Sequence, residues 1–174
     1  MIWLILVKLL KRFSNKTRYC CGKGKILLVN SYFSLAFNDL KYLKADMRDE
    51  EGAYNRQVVD IHMITERLLK SVLEDVELDD NRYKADLLKS YNLRKIGQVL
   101  NEKLRTRLDL PKLSYLKDFY FEARYPGDNF IVVNKEMRDT CMEIMESVLE
   151  EMKPFIPVNN QGRYQESIGR INVF

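Results

Sequence analysis

From Phe33 onward the apolar residues recur at every third or fourth position. Phe33, Phe37, Leu40, Leu43 and Met47 share one side of a helical wheel while Asn38, Asp39, Lys41 and Lys44 take the other, which predicts a first amphipathic helix from Ser31. A charged, glycine-containing stretch from Asp46 to Gly52 resets the chain. Val58, Ile61, Leu68 and Val72 then repeat at helical spacing through about Glu77, a long second helix. Asp79, Asp80 and Asn81 break it, and a polar segment leads to a third helix marked by Leu93, Ile96, Leu100 and Leu104. Pro111 suits the first turn of a fourth, which runs through Leu116 and Tyr120 toward Arg124. Asn134 is placed to cap a last helix in which Met137, Cys141, Ile144, Met145, Val148 and Met152 form a core stripe, and Pro154 and Pro157 end it. Ile131 to Val133 is the only strand-like run, too short to make a sheet. The pattern predicts an all-α, antiparallel bundle of four to five helices over residues 31–153.

Composition agrees with one helical domain. The chain has 174 residues, 46% of them hydrophobic and 31% charged, with seven Gly and four Pro, enough to bury a core without staples. Charge divides the chain unevenly. Residues 1–25 hold seven Lys or Arg and no acidic residue, leaving 22 basic against 25 acidic residues in the remainder. A mildly acidic body is not a surface that tracks a nucleic-acid backbone, so RNA is not favoured as a partner. Residues 1–30 read as a basic, apolar arm and residues 154–174 as a tail without sustained period. The arm's apolar start is too short for a bilayer span of about 20 residues, and its charge follows the apolar run where a secretory signal would precede it. With Trp3 in lipid and Lys8, Lys11 and Arg12 at headgroups it could lie on a membrane, a reading outweighed by docking on a protein or by a disordered leader. The odd count of three cysteines, two of them the adjacent Cys20 and Cys21, makes no disulfide framework and suits a cytoplasmic setting. One histidine, His62, and no cysteine pair at zinc spacing argue against a structural metal, and no cofactor is implied.

Two constellations could carry chemistry. Residues 119–130, FYFEARYPGDNF, end an apolar helical run and place Arg124, Tyr125 and Pro126 at the break. Proline stops the helix and biases Tyr125 toward an extended conformation. A guanidinium beside an aromatic ring at a helix end can hold a phosphate or carboxylate with paired donors; the alternative is a helix terminus with a snorkelling arginine and a packed tyrosine. On the second helix His62, Glu66 and Lys70 follow at spacings of four and stay on one side. That row is either a solvated stripe or the border of a groove, with Lys70 for phosphate and Glu66 holding Lys70 or Arg124 in position. Familiar hydrolase chemistry is excluded by the single histidine, and residues 22–25, GKGK, lack the context of a phosphate loop.

These segments together resemble the HEPN domain family, small helical bundles found beside minimal nucleotidyltransferases in prokaryotes. HMITERLLKSVLE from His62 is similar to the family's glutamate and lysine spaced by four. SYNLRKIGQVL from Ser90 resembles its Thr-His-Asp-Leu segment, and LKDFYFEARYPGDNF from Leu116 its Tyr-x-x-x-Arg-Tyr-Pro-Asp ending. The resemblance covers about Ser34 to Met152 and implies a nucleotide or a nucleotidyltransferase as partner, and a homodimer. It also bears on catalysis. Ribonuclease members place a histidine four to six residues after an arginine, whereas here Arg124 is followed at those positions by no histidine, and the family-type histidine of the third helix is Tyr91. Arg56 and His62 have the spacing but lie about 120° apart on one helix. The resemblance therefore implies a non-catalytic binding module, with Lys70 and Arg124 on phosphate, Tyr125 on a base, and Glu66, Tyr91 and Asp128 in support. A toxin-like ribonuclease with a non-standard site is the alternative, and membrane-surface association through the arm a second one.

Overall fold

The computed structural model describes residues 32–47 and 53–155, which form α1 (Tyr32–Asp46), α2 (Tyr54–Leu73), α3 (Asn81–Lys89), α4 (Leu93–Leu104), α5 (Leu110–Glu122) and α6 (Lys135–Met152), followed by a 3₁₀ turn at Lys153–Phe155. The fold is the expected all-α bundle, with one helix more than the pattern predicts. The arm, with Trp3, Lys8, Lys11 and Arg12, lies outside the described residues, as does the tail beyond Phe155.

Helix α2 is the axis of the bundle and packs against α1, α6, α5 and α4. Its apolar stripe is fully covered: Val58, Ile61, Ile64, Leu69 and Leu73 have no exposed surface. Each such side chain contributes about 1.5–3 kcal/mol by leaving water, so α2 forms through packing more than through propensity. Opposite it, α6 presents Cys141, Met145 and Met152, as its spacing predicts, and with them Leu149. Burial pushes the Cys141 thiol up to about 12, which leaves it an apolar filler. Where α4 and α5 meet, Gly97 allows the closest approach: a Cβ there would stand 2.5 Å from Leu113 Cδ1.

Capping explains most boundaries. Asp80, Asn92, Asp109 and Asn134 each accept a hydrogen bond from a backbone N–H of the following helix. The cap at Asp80 also corrects the sequence reading of the segment after it. Asp80 ends the preceding turn and starts α3, its Oδ1 accepting from Arg82 N at 2.8 Å and Tyr83 N at 3.2 Å. The apolar period misses α3 because Leu87 is its one buried residue. Two other boundaries shift inward. Helix α2 ends at Leu73, before the expected Glu77, and α5 ends at Glu122, so that Arg124 and Tyr125 lie in the turn beyond it. Ile131 to Val133 forms no strand. Its backbone groups are taken instead by Asn55 of α2, which leaves no ladder to extend.

Candidate functional site

The Arg124 corner is built by a clip on the first turn of α2. Asn55 Nδ2 donates to the carbonyls of Ala123 at 3.0 Å and Ile131 at 2.6 Å, while its Oδ1 accepts from Val133 N at 2.9 Å. Ile131 N also donates to Glu122 O at 2.8 Å. One side chain thus closes the loop between α5 and α6 at both ends. Within the loop, Arg124 N and Tyr125 N donate back to Phe121 O, a last turn that Pro126 cannot continue. The Arg124 and Tyr125 side chains are left in solvent.

Around them the aromatic rings run on without a gap. The Arg124 guanidinium lies 5.6 Å from the Tyr120 ring centre and 5.2 Å from that of Tyr125, and its Nη1 donates to the Tyr120 hydroxyl at 3.2 Å. Tyr120 stacks on Tyr91 at 5.0 Å, meets Phe121 edge-on at 4.8 Å and covers His62 at 4.8 Å. Burial lifts the Tyr120 hydroxyl above its ordinary value against the pull of Arg124, so it remains a neutral donor and acceptor. Tyr91, Phe121 and Tyr125 are each about half exposed. The patch is therefore aromatic, accessible and topped by one exposed cation, a combination suited to stacking a flat ring beside an anion.

Behind it lies the row from α2, and it is not a solvated stripe. His62 is fully buried, Glu66 is 9% exposed and Lys70 is 4% exposed. Helices α1 and α5 cover the border of the apolar face, which periodicity alone cannot show. Lys70 Nζ donates to Glu66 Oε1 at 2.7 Å and sits 5.8 and 5.7 Å from the ring centres of Tyr32 and Tyr91. Burial would raise the Glu66 carboxyl, but the adjacent His62 and the hydrogen-bonded Lys70 outweigh it and hold it below the usual carboxylate range. His62 Nδ1 lies 3.4 Å from the Leu116 carbonyl oxygen, and its Nε2 lies 3.6 Å from Glu66 Oε2, just beyond hydrogen-bond reach.

The structure thus brings Glu66, Lys70, Tyr91, Arg124 and Tyr125 into one neighbourhood through Tyr120 and Tyr91. Asp128 lies apart, in the exposed turn closed by the Phe130 N to Gly127 O bond. Among the described residues no ion pair joins Glu66 to Arg124; each has other partners. Tyr120, Asn55 and Phe121 escaped the sequence reading. Tyr120 and Phe121 stood in the quoted motif as helix core, and nothing in the spacing of Asn55 announces a partner in a loop far along the chain. Arg56 points into solvent while His62 is sealed, so the two cannot act as a pair on one substrate.

Beside Tyr91 and Phe121 opens a cavity of about 360 Å³, lined also by Ser90, Asn92, Lys117, Asp118 and Glu122. Among the described residues no cluster of three metal-ligating side chains occurs, and no helix is long and apolar enough to cross a membrane. Compared with known proteins, residues 29–155 match the family model described as HEPN domain. No curated protein or solved structure shows significant similarity to the chain.

Proposed function

The chain belongs to the HEPN domain family, and from that premise we propose that it is a non-catalytic module that binds a nucleotide at the tyrosine corner. The observation that carries this reading is the exposed Arg124 guanidinium laid over the Tyr120 and Tyr125 rings, next to the accessible faces of Tyr91 and Phe121. A charge-assisted donor pair for phosphate and a π surface for a base stand side by side there. Lys70 plays a supporting part in this reading: its ammonium is buried against Glu66 and fixes Tyr91 from behind, leaving direct phosphate contact to Arg124. Ribonuclease action finds less support, since the only histidine of the chain is fully buried and a general base must reach its substrate.

Isothermal titration with adenosine mono-, di- and triphosphate tests the proposal. Binding is expected in the wild type and is weakened by about 1.5–3 kcal/mol in Arg124→Ala, the worth of a hydrogen bond to a charged group. Titration of the folded wild type with no heat from any nucleotide would sink the reading. It would turn attention to a protein partner such as a nucleotidyltransferase, for which Phe121, Tyr125, Phe130 and Val132 are exposed apolar side chains.

A further inference from the structure

The cavity beside the corner has a charge pattern that nucleotide binding in general does not explain. Its walls are the rings of Tyr91 and Phe121, and its polar lining joins Ser90, Asn92 and Lys117 to two carboxylates, Asp118 and Glu122, one helical turn apart on α5. Lys117 Nζ lies 3.2 Å from Asp118 Oδ1 and offsets one of these charges, while no ion pair among the described residues engages Glu122. A carboxylate accepts hydrogen bonds and repels anions. With one carboxylate in excess over Lys117, the cavity suits a neutral group rich in hydroxyl donors better than a phosphate, for which Arg124 is the exposed cation of the corner. The volume of about 360 Å³ falls at the small end of ligand cavities, which span about 300–1,000 Å³, and suits one nucleoside.

The geometry points to a ribose subsite in this cavity: Asp118 and Glu122 accept hydrogen bonds from the 2′- and 3′-hydroxyls of a ribonucleoside phosphate, its base resting on Tyr91 or Phe121. An acidic side chain holding a ribose 2′-hydroxyl is an arrangement with precedent in unrelated nucleotide sites. The inference rests on the nucleotide reading above and adds the identity of the sugar. It makes the chain a reader of ribonucleotides over deoxyribonucleotides, because the 2′-hydroxyl is the group the carboxylates recognise.

The test is titration of the full chain with adenosine monophosphate and its 2′-deoxy analogue, in the wild type and in an Asp118→Ala, Glu122→Ala double variant. Both positions lie on the outward side of a helix, where alanine is well tolerated, and circular dichroism checks the helix content. The wild type is expected to favour the ribonucleotide by about tenfold, and the double variant to bind both alike. Arg124→Ala should weaken both nucleotides and leave their ratio unchanged. Equal binding of the two nucleotides by the wild type overturns the subsite and leaves the nucleotide reading standing. A preference that survives in the double variant overturns the assignment to these carboxylates. If neither nucleotide binds the wild type, the nucleotide reading fails and the subsite falls with it.

Discussion

Helix α2 carries buried polar groups toward both of its ends, and the two ends treat them differently. Near its start, Arg138 of α6 reaches in, donates to Gln57 Oε1 at 2.9 Å and to Asp139 Oδ1 at 2.6 Å, and lies over the Tyr54 ring at 5.3 Å. Gln57 in turn donates to Asp46 Oδ2 at 3.2 Å. Three helices are tied there by a network whose partners are all internal. Toward its other end, Glu66 and Lys70 satisfy each other, but what surrounds them is aromatic: Tyr32, Tyr91 and, through His62, Tyr120. That second group ends at the surface in half-exposed rings and an arginine whose guanidinium donates to a tyrosine hydroxyl. The first network closes a structure. The second leaves donors and ring faces exposed to solvent, the capacity on which the proposed nucleotide site draws.

The contrast can be broken first at its closed end. Arg138→Ala strands Gln57 inside the bundle and should cost about 2–4 kcal/mol, the range for opening a buried charged network. Urea denaturation reads this as a lower midpoint with unchanged slope, and nucleotide affinity of the folded fraction should hold. If affinity fell as far as stability, the two ends would not be separate.

Asn55→Ala joins the two regions and comes next. It removes three hydrogen bonds and leaves the Val133 N–H unpartnered, for an expected loss of about 2 kcal/mol. Amide exchange should accelerate at residues 123–133 before the rest of the bundle, and the Arg124 corner should lose its ligand with it.

Glu66→Gln sharpens the electrostatic side, at about 1–2 kcal/mol, because Lys70 is left buried without a counter-charge. The sign of its pH dependence follows from the lowered carboxyl. A group whose folded value lies below its unfolded value contributes stability above the unfolded value, 4.5 here, and loses it as pH falls through the folded one. Wild-type stability should therefore decline with acidification below about 4.5, more steeply than that of Glu66→Gln. Parallel curves would show that the carboxylate is not the group responsible.

The smallest effect on stability is expected at the exposed corner. Arg124→Ala should change it by no more than about 0.5 kcal/mol, as for a surface side chain, although under the proposed function the same substitution weakens nucleotide binding by about 1.5–3 kcal/mol. A large loss of stability would mean that Arg124 serves the fold and not a ligand.

The sequence alone determined the helical class, five of the six described helices, the Asn134 cap, the core stripe of α6 and the break that puts Arg124 and Tyr125 outside α5. These follow from local rules, since the period of apolar residues, a capping side chain and a proline act within a turn or two of where they stand. Helix α3 was illegible because one buried leucine makes no period. The depth of His62, Glu66 and Lys70 was illegible for another reason: they border the apolar face, and whether a border is wet depends on which helices lie across it. Tertiary structure alone set Asn55 against a loop nearly 80 positions further on, as in its bond to Val133 at a separation of 78 residues. It also laid Tyr91, from the link between α3 and α4, on Tyr120 of α5. Contacts between distant segments depend on the packing of whole helices, and no local pattern encodes that.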